Sequence, residues 1–294
     1  MRVTNLMIFN QSTWHINRQY EEYFKLNEAV SSGKRVNRPS DDPVSMGMIL
    51  NYRSLSESIE QYKSNIERGV TLLTYTESAL ADAETVITDA KVLAEQMATG
   101  TYNDENRESL SVLAEELYDQ LLQIGNLKVT DRYIFSGYKT DTAPFSRDEN
   151  YNIAYHGDNG KIQFASNQNS KVTVNITGQE AFLDGTNVFD VLRDLRDDLA
   201  VDNQAGVQEA LPRLDEAMNQ IVRERARVGT TIDQMETSKF MLEELGFQTE
   251  NILSVTEDAD IVETVSRLTT QETAFQATLK STALVSGLTL INFI

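Results

Sequence analysis

Apolar side chains recur at intervals of seven along most of this chain. Ile59, Ile66, Leu73, Leu80, Ile87 and Ala94 form one unbroken line, with Tyr62, Thr76, Ala83, Ala90 and Met97 along the neighbouring one. That period gathers the apolar positions on one helix face, where a partner helix covers them. It predicts a helix from Pro43 to about Gly100, roughly 80 Å long at about 1.5 Å per residue and too long to fold back into a globule. Small residues at Gly69, Ala83 and Ala90 let the partner approach closely, and Gly100, Asn103 and Asp104 read as a stop and restart. Leu110, Leu113, Leu117, Leu121, Ile124 and Leu127 then define a shorter helix antiparallel to the last. A second long helix is predicted from about Ala205 to Val255, with Leu214, Ile221, Val228, Met235 and Leu242 at sevens. Leu211, Met218, Ile232 and Leu253 run alongside, on a line that also carries Arg225, Lys239 and Gly246. Arg225 reads as an edge residue that keeps its charged head in water.

The two ends carry apolar faces of their own. Phe9, Ile16, Tyr23 and Val30 recur at sevens with Tyr20 and Leu26 beside them, but Asn10, Gln11, Asn17 and Asn27 make this a poor helix in isolation. It should order fully only against a partner. The last helix shows Ile261, Val265, Leu268, Phe275, Leu279, Ala283 and Leu288 on one face, after Asp258 and Asp260.

Between residues 132 and 177 the period changes to two: Tyr151, Ile153 and Tyr155, then Ile162 and Phe164, then Val172, Val174 and Ile176. Asp158-Asn159-Gly160 is a tight-turn signal between the first two runs. Asp184, Gly185 and Asn187 mark another turn before helical signals from Val188 to Leu199. The fold expected is mainly α, an elongated rod of long antiparallel helices built by both ends of the chain, with a small β-rich insertion at the tip. The corresponding domains are 1–42 with 256–294 as a terminal coiled-coil region ordered on assembly, 43–131 with 188–255 as the rod, and 132–187 as the insertion.

The first and second helical patterns meet at Ser31 to Met46. Gly33 supplies a left-handed cap for the first helix, Asp41 and Asp42 can accept from the orphan N–H groups of the next, and Pro43 suits its first position. With Pro39 between them, Gly33 and Asp42 describe a joint that uncouples the two helices. Lys34, Arg35 and Arg38 form a basic cluster there, expected to face a neighbouring molecule's carboxylates.

Charge sharpens the division. The net charge is −19, yet residues 1–45 carry six Lys/Arg against five Asp/Glu and residues 255–294 carry two against five, which leaves −17 for the middle. Near-neutral ends suit burial between subunits, and an acidic middle suits solvent. So acidic a chain is unsuited to nucleic acid. The apolar stretch Val3 to Phe9 lacks the form of a secretory signal, and the C-terminal run is interrupted too often by polar residues to span a membrane, so no membrane partner is expected.

Little in the chain points to catalysis. There is no cysteine, and the two histidines, His15 and His156, are far apart. The paired acids Asp41/Asp42, Asp197/Asp198 and Glu243/Glu244 are adjacent, so on a helix they face different ways. No phosphate loop or nucleophile elbow occurs. No cofactor, metal or enzymatic activity is expected. Asn10-Gln-Ser and Asn175-Ile-Thr match a glycosylation pattern that matters only in a eukaryotic secretory setting.

SSGKRVNRPSDDP, at residues 31–43, resembles the N-terminal signature of the flagellin superfamily of bacterial flagellar axial proteins. RARVG at 225–229 resembles its second long-helix motif, and QETAFQATLKSTALVSGLTLINFI resembles its C-terminal helix. RYIFSGYKTDTAPF at 132–145, with DDPVSM at 41–46, is similar to the hook-filament junction branch rather than to flagellin. The resemblance implies an exported structural protein of the flagellum, outside the cell, that uses the flagellar type III route and an export chaperone. It would form a ring of its own copies between the first hook-associated protein and the flagellin filament. Its terminal helices would be unordered in the monomer and would bury Phe9, Ile16, Tyr23, Val30, Leu268, Phe275 and Leu279 on assembly. Gly33, Arg35, Arg38, Asp41, Asp42 and Pro43 would form the joint. Two other readings are a short flagellin and a surface-binding module with Tyr151 and Tyr155 as an aromatic platform.

Overall fold

The computed structural model describes residues 5–98 and 104–291. Its elements are α1 (Asn5–Ser32), α2 (Pro43–Ala98), α3 (Asp104–Gly125), strands β1 (Lys128–Val129), β2 (Arg132–Tyr133), β3 (Phe145–Arg147), β4 (Ile153–Tyr155), β5 (Gln163–Asn167) and β6 (Ser170–Thr173), then α4 (Val188–Ala200), α5 (Gln204–Glu257) and α6 (Ile261–Ile291). The stop expected at Gly100 and Asn103 lies outside the described residues. Two compact units result, one from Met1–Ser58 and Glu244–Ile294 and the other from Ile59–Glu243. The division falls within α2 and α5 and not at their ends.

In the second unit, the sevenfold lines of α2 and α5 face inward. Ile59, Ile66, Leu73, Leu80, Ile87 and Ala94 are buried together with Leu214, Ile221, Val228, Met235 and Leu242. The two segments run antiparallel, as their cross-links show: Lys239 to Glu67 at 2.9 Å, Arg225 Nε to Glu77 at 3.2 Å, and Lys91 to Asp215 at 2.6 Å. A Cβ on Gly69 would stand 2.5 Å from Met235 Cε, so the glycine is what admits the methionine. Arg225 lies at the edge of the apolar seam, where its guanidinium spans Glu77 and Glu84.

The seam of α3 holds at Leu117 and Leu121, with Leu110, Ile124 and Leu127 partly buried against the core, and departs from the sequence expectation at Leu113. Leu113 and Val112 are exposed, whereas Ala114, Leu117, Tyr118 and Leu121 are buried against α4. Tyr118 is wide enough to reach both Phe189 and Tyr151, which favours this face. Burial pushes its phenol up to about 12, and the hydroxyl donates to Tyr151 O at 2.8 Å.

The β-rich region holds three separate antiparallel pairs, β1 with β2, β3 with β4, and β5 with β6, and β1 lies just before the expected insertion. Asp158-Asn159-Gly160 does not join two paired strands. Asp158 Oδ1 accepts from Tyr138 N (2.7 Å) and Gly160 N (2.9 Å), so the turn is used to hold the loop after β2. Gly137, at φ +69°, permits that approach: a Cβ there would meet Asp158 O at 2.3 Å. The motif Arg132 to Phe145 thereby folds into the core. Ile134, Phe135 and Ser136 are buried, and the Asn126 side chain brackets the Phe145 backbone with bonds of 2.9 Å in each direction. Phe182, on a five-residue π-helix at Gln179–Leu183, packs on Phe135, Phe145 and Phe189 with ring centroids 5.2 to 5.8 Å apart.

Candidate assembly interface

The first unit pairs α1 with α6. Gln271 Nε2 donates to Gln19 O (3.1 Å) and Gln19 Oε1 (2.6 Å), and the Phe275 ring lies 5.9 Å from Tyr20 and 6.3 Å from Tyr23, stacked on the latter. Each helix can bury only one stripe against a single partner. Ile16, Tyr23, Val30, Leu268 and Phe275 are accordingly half-buried, while Phe9 is 59 % and Leu279 41 % exposed. Much else is left in solvent: Met7, Trp14, Tyr20 and Phe24 on α1, and Ile261, Val262, Val265 and Leu284 on α6. Trp14, 56 % exposed beneath the Arg18 guanidinium at 5.4 Å, and Val262, 83 % exposed, lie outside the sevenfold lines and were not singled out by sequence. Apolar side chains left in water along both helices make this pair the candidate interaction surface of the chain.

At the joint, Gly33 adopts φ +73° and its N–H closes α1 on Ala29 O at 2.9 Å. Asp42 Oδ1 accepts from Val44 N (3.2 Å) and Ser45 N (3.1 Å), and Pro43 opens α2. Donation from the Ser45 hydroxyl and backbone holds the Asp42 carboxyl below its ordinary pKa. Asp41 Oδ2 takes the N–H groups of Asn37 (3.2 Å) and Arg38 (2.9 Å), which shapes the turn that carries Pro39 and Ser40. A backbone turn at Gly33 thus ends one helix, and side-chain capping by Asp42 starts the next.

The three cations of the basic cluster are not free of the chain, each having a partner within it. Arg38 meets Glu28 at 2.7 Å, Arg35 donates to Thr256 O at 2.8 Å, and Lys34 meets Glu257. Nor is the joint loose. Arg35 N donates to Glu257 O (2.7 Å) and Ala259 N to Gly33 O (2.9 Å), which ties it to the connection between α5 and α6. Periodicity carries no sign of pairing between residues so far apart.

Two alternative sites lose their basis in the second unit. Tyr151, at φ +62°, lies between the guanidinium groups of Arg147 (4.4 Å) and Arg196 (3.7 Å), and Tyr155 donates to Phe135 O at 3.0 Å. Neither ring forms an open platform. Asn175 is buried and bonded to Gly160 O and Ile162 N, each at 2.8 Å, so its amide is not available for modification. His156 Nε2 meets Ser146 Oγ at 2.7 Å and His15 is exposed against Trp14. Among the described residues no three His, Cys, Asp or Glu gather to hold a metal, and no helix is long and apolar enough to cross a membrane.

Residues 3–140 match the bacterial flagellin N-terminal helical region, and residues 211–294 match the bacterial flagellin C-terminal helical region. The chain is 29 % identical over 318 aligned residues to the flagellar hook-associated protein 3 of Escherichia coli strain K12, covering 99 % of this chain and 98 % of that one. Its fold is similar to a putative flagellar hook-associated protein from Vibrio parahaemolyticus, with TM-score 0.69, 21 % identity, and 74 % of this chain and 99 % of that one covered. It is also similar in fold to the flagellar junction protein from Legionella pneumophila, with TM-score 0.61, 18 % identity, and coverage of 73 % and 100 %.

Proposed function

The chain belongs to the bacterial flagellin family, and on that footing we propose that it serves as the hook-filament junction subunit of a flagellum. The observation that carries this reading is its end-to-end correspondence with a hook-associated protein 3, which runs through the insertion as well as both terminal regions. As a structural component of the flagellum it associates with other flagellar parts. The partners proposed are the first hook-associated protein on one side, flagellin on the other, and further copies of this chain within a ring. Passage through the flagellar type III channel would require the chain to travel unfolded and a chaperone to cover its apolar ends beforehand.

The mechanism proposed is coupled folding and assembly. A two-helix pair with Trp14, Phe24, Val262 and Val265 in water buries too little to hold two helices firmly, since ordering costs about 1–2 kcal/mol per residue. Neighbours in the assembly would cover those faces and supply the missing term. A monomer that stays open at its ends is thereby kept from polymerising too early.

Two measurements test this. Limited proteolysis of the isolated chain is expected to remove α1 and α6 and leave a core bounded near Gly33 and Ala259; intact terminal helices would count against ordering on assembly. The purified chain is also expected to form no long filaments under conditions in which flagellin polymerises, and long filaments would favour the flagellin reading. A Phe275→Asp variant, which sets a carboxylate among Tyr20 and Tyr23, is expected to lose incorporation at the junction at least about tenfold. Its unit of Ile59–Glu243 should unfold at the wild-type urea midpoint, because Phe275 is not part of it.

A further inference from the structure

Glu257 ends α5, yet its side chain is only 3 % exposed. Its carboxylate faces two cations, Lys34 from the stretch just after α1 and Arg53 from within α2. Around it the two connections of the unit are bonded to each other. Arg35 N (2.7 Å) and Val36 N (3.4 Å) donate to Glu257 O, Ala259 N donates to Gly33 O (2.9 Å), and the Arg35 guanidinium donates to Thr256 O (2.8 Å). Lys34 and Asp258 stand opposite one another as a single antiparallel bridge, and Val36 is buried.

An ordinary hinge would leave these groups to water. Here a carboxylate is taken out of water, which is costly unless it is fully paired. Its two cations come from different elements, so only one alignment of residues 33–36 against 256–259 satisfies it. An apolar side chain of equal size would fill the same space but would tolerate a slipped alignment. The left-handed turn at Gly33 brings its carbonyl to Ala259 N, so backbone and side chain select one register.

We propose that Glu257 is a positioning residue, a clasp that locks the two connections together and sets the limit beyond which the terminal helices are free to melt and reorder. What the free helices do rests on the junction reading; the clasp is a property of the isolated chain. By holding residues 33–36 against 256–259 it keeps α2 and α5 folded to their ends, and it fixes the point from which α1 and α6 leave.

The test is amide hydrogen exchange, resolved to single residues, on the full chain and on Glu257→Gln. The substitution keeps shape and removes charge, leaving Lys34 and Arg53 facing a neutral group. Exchange at Arg35, Val36 and Ala259 is expected to rise about tenfold or more. The buried lines through Leu80, Ile87, Leu214 and Ile221 should keep their wild-type rates. Glu257→Asp, which retains the charge on a shorter arm, should lie nearer to wild type than Gln. Unchanged exchange at the three amides overturns the clasp, and so does an equal rise throughout the core, which would mean general destabilisation. Wild-type amides at these positions exchanging like unstructured chain would overturn it as well. Protected α1 and α6 in the isolated chain, with the three amides responding as expected, would instead refute ordering on assembly and leave the clasp standing.

Discussion

Bacteria that lack this chain are expected to carry hooks without filaments and to release flagellin into the medium. The loss should be nearly complete. Head-to-tail contacts close into a ring when the rotation between neighbours permits and otherwise run on as a helical filament, so the two kinds of assembly present different end surfaces. An adapter must complement one neighbour below and another above, and flagellin arriving at the wrong surface meets mismatched charge and uncovered apolar groups. Electron microscopy of the cells, with measurement of free flagellin in the culture fluid, decides the matter. Full-length filaments on the deletion strain would refute the junction function. A chain lacking residues 261–294 should fail to restore the filament, because α1 then has no partner for Tyr20 and Tyr23.

Phe182→Ala is expected to cost the second unit about 3–5 kcal/mol, the largest stability effect foreseen for one substitution. Phe182 is fully buried, and three other rings depend on it, Phe135 at 5.2 Å and Phe145 and Phe189 at 5.8 Å. Collapse into the vacated space is restricted, since the neighbouring backbone is itself held: Gly178 N donates to Phe135 O at 2.7 Å, and a Cβ on Gly178 would already meet Phe145 at 2.6 Å. Urea unfolding should show a lower midpoint with an unchanged slope. Tyr138→Phe is the comparison. The ring is exposed and loses only its bond to Lys161 O, 2.8 Å long, so its cost should stay within about 0.5–1.5 kcal/mol. A loss below about 1 kcal/mol for Phe182→Ala would mean that the aromatic cluster does not hold the insertion to α3 and α4.

Local signals were legible wherever one helix buries one face. Ile59 to Ala94 and Leu214 to Leu242 required only a constant period, and burial follows that period closely. Asp42 and Pro43 could be read as a helix start because capping involves partners two or three residues away. Leu113 misled because α3 also buries the sevenfold lines Ser111, Tyr118, Gly125 and Ala114, Leu121, whose small members Ser111, Ala114 and Gly125 give little apolar signal. Asp158-Asn159-Gly160 misled because its side-chain oxygen is claimed by Tyr138, 20 residues earlier. The partners that the cations of the joint find within the chain were not legible for the same reason, Arg35 reaching Thr256 across 221 residues.

The sequence by itself determined where the long helices lie, which of their faces are apolar, and that the two ends are alike in length and neutrality. These are properties of neighbours within a turn or two, set by 3.6-residue geometry and by capping. Tertiary structure alone decided which strands pair, that Tyr151 is enclosed by Arg147 and Arg196, and that Glu257 closes the joint on Lys34 and Arg53. Each of those contacts brings together side chains distant along the chain. Their worth is realised only after the intervening loop has closed and water has left, and neither condition is visible in residue order.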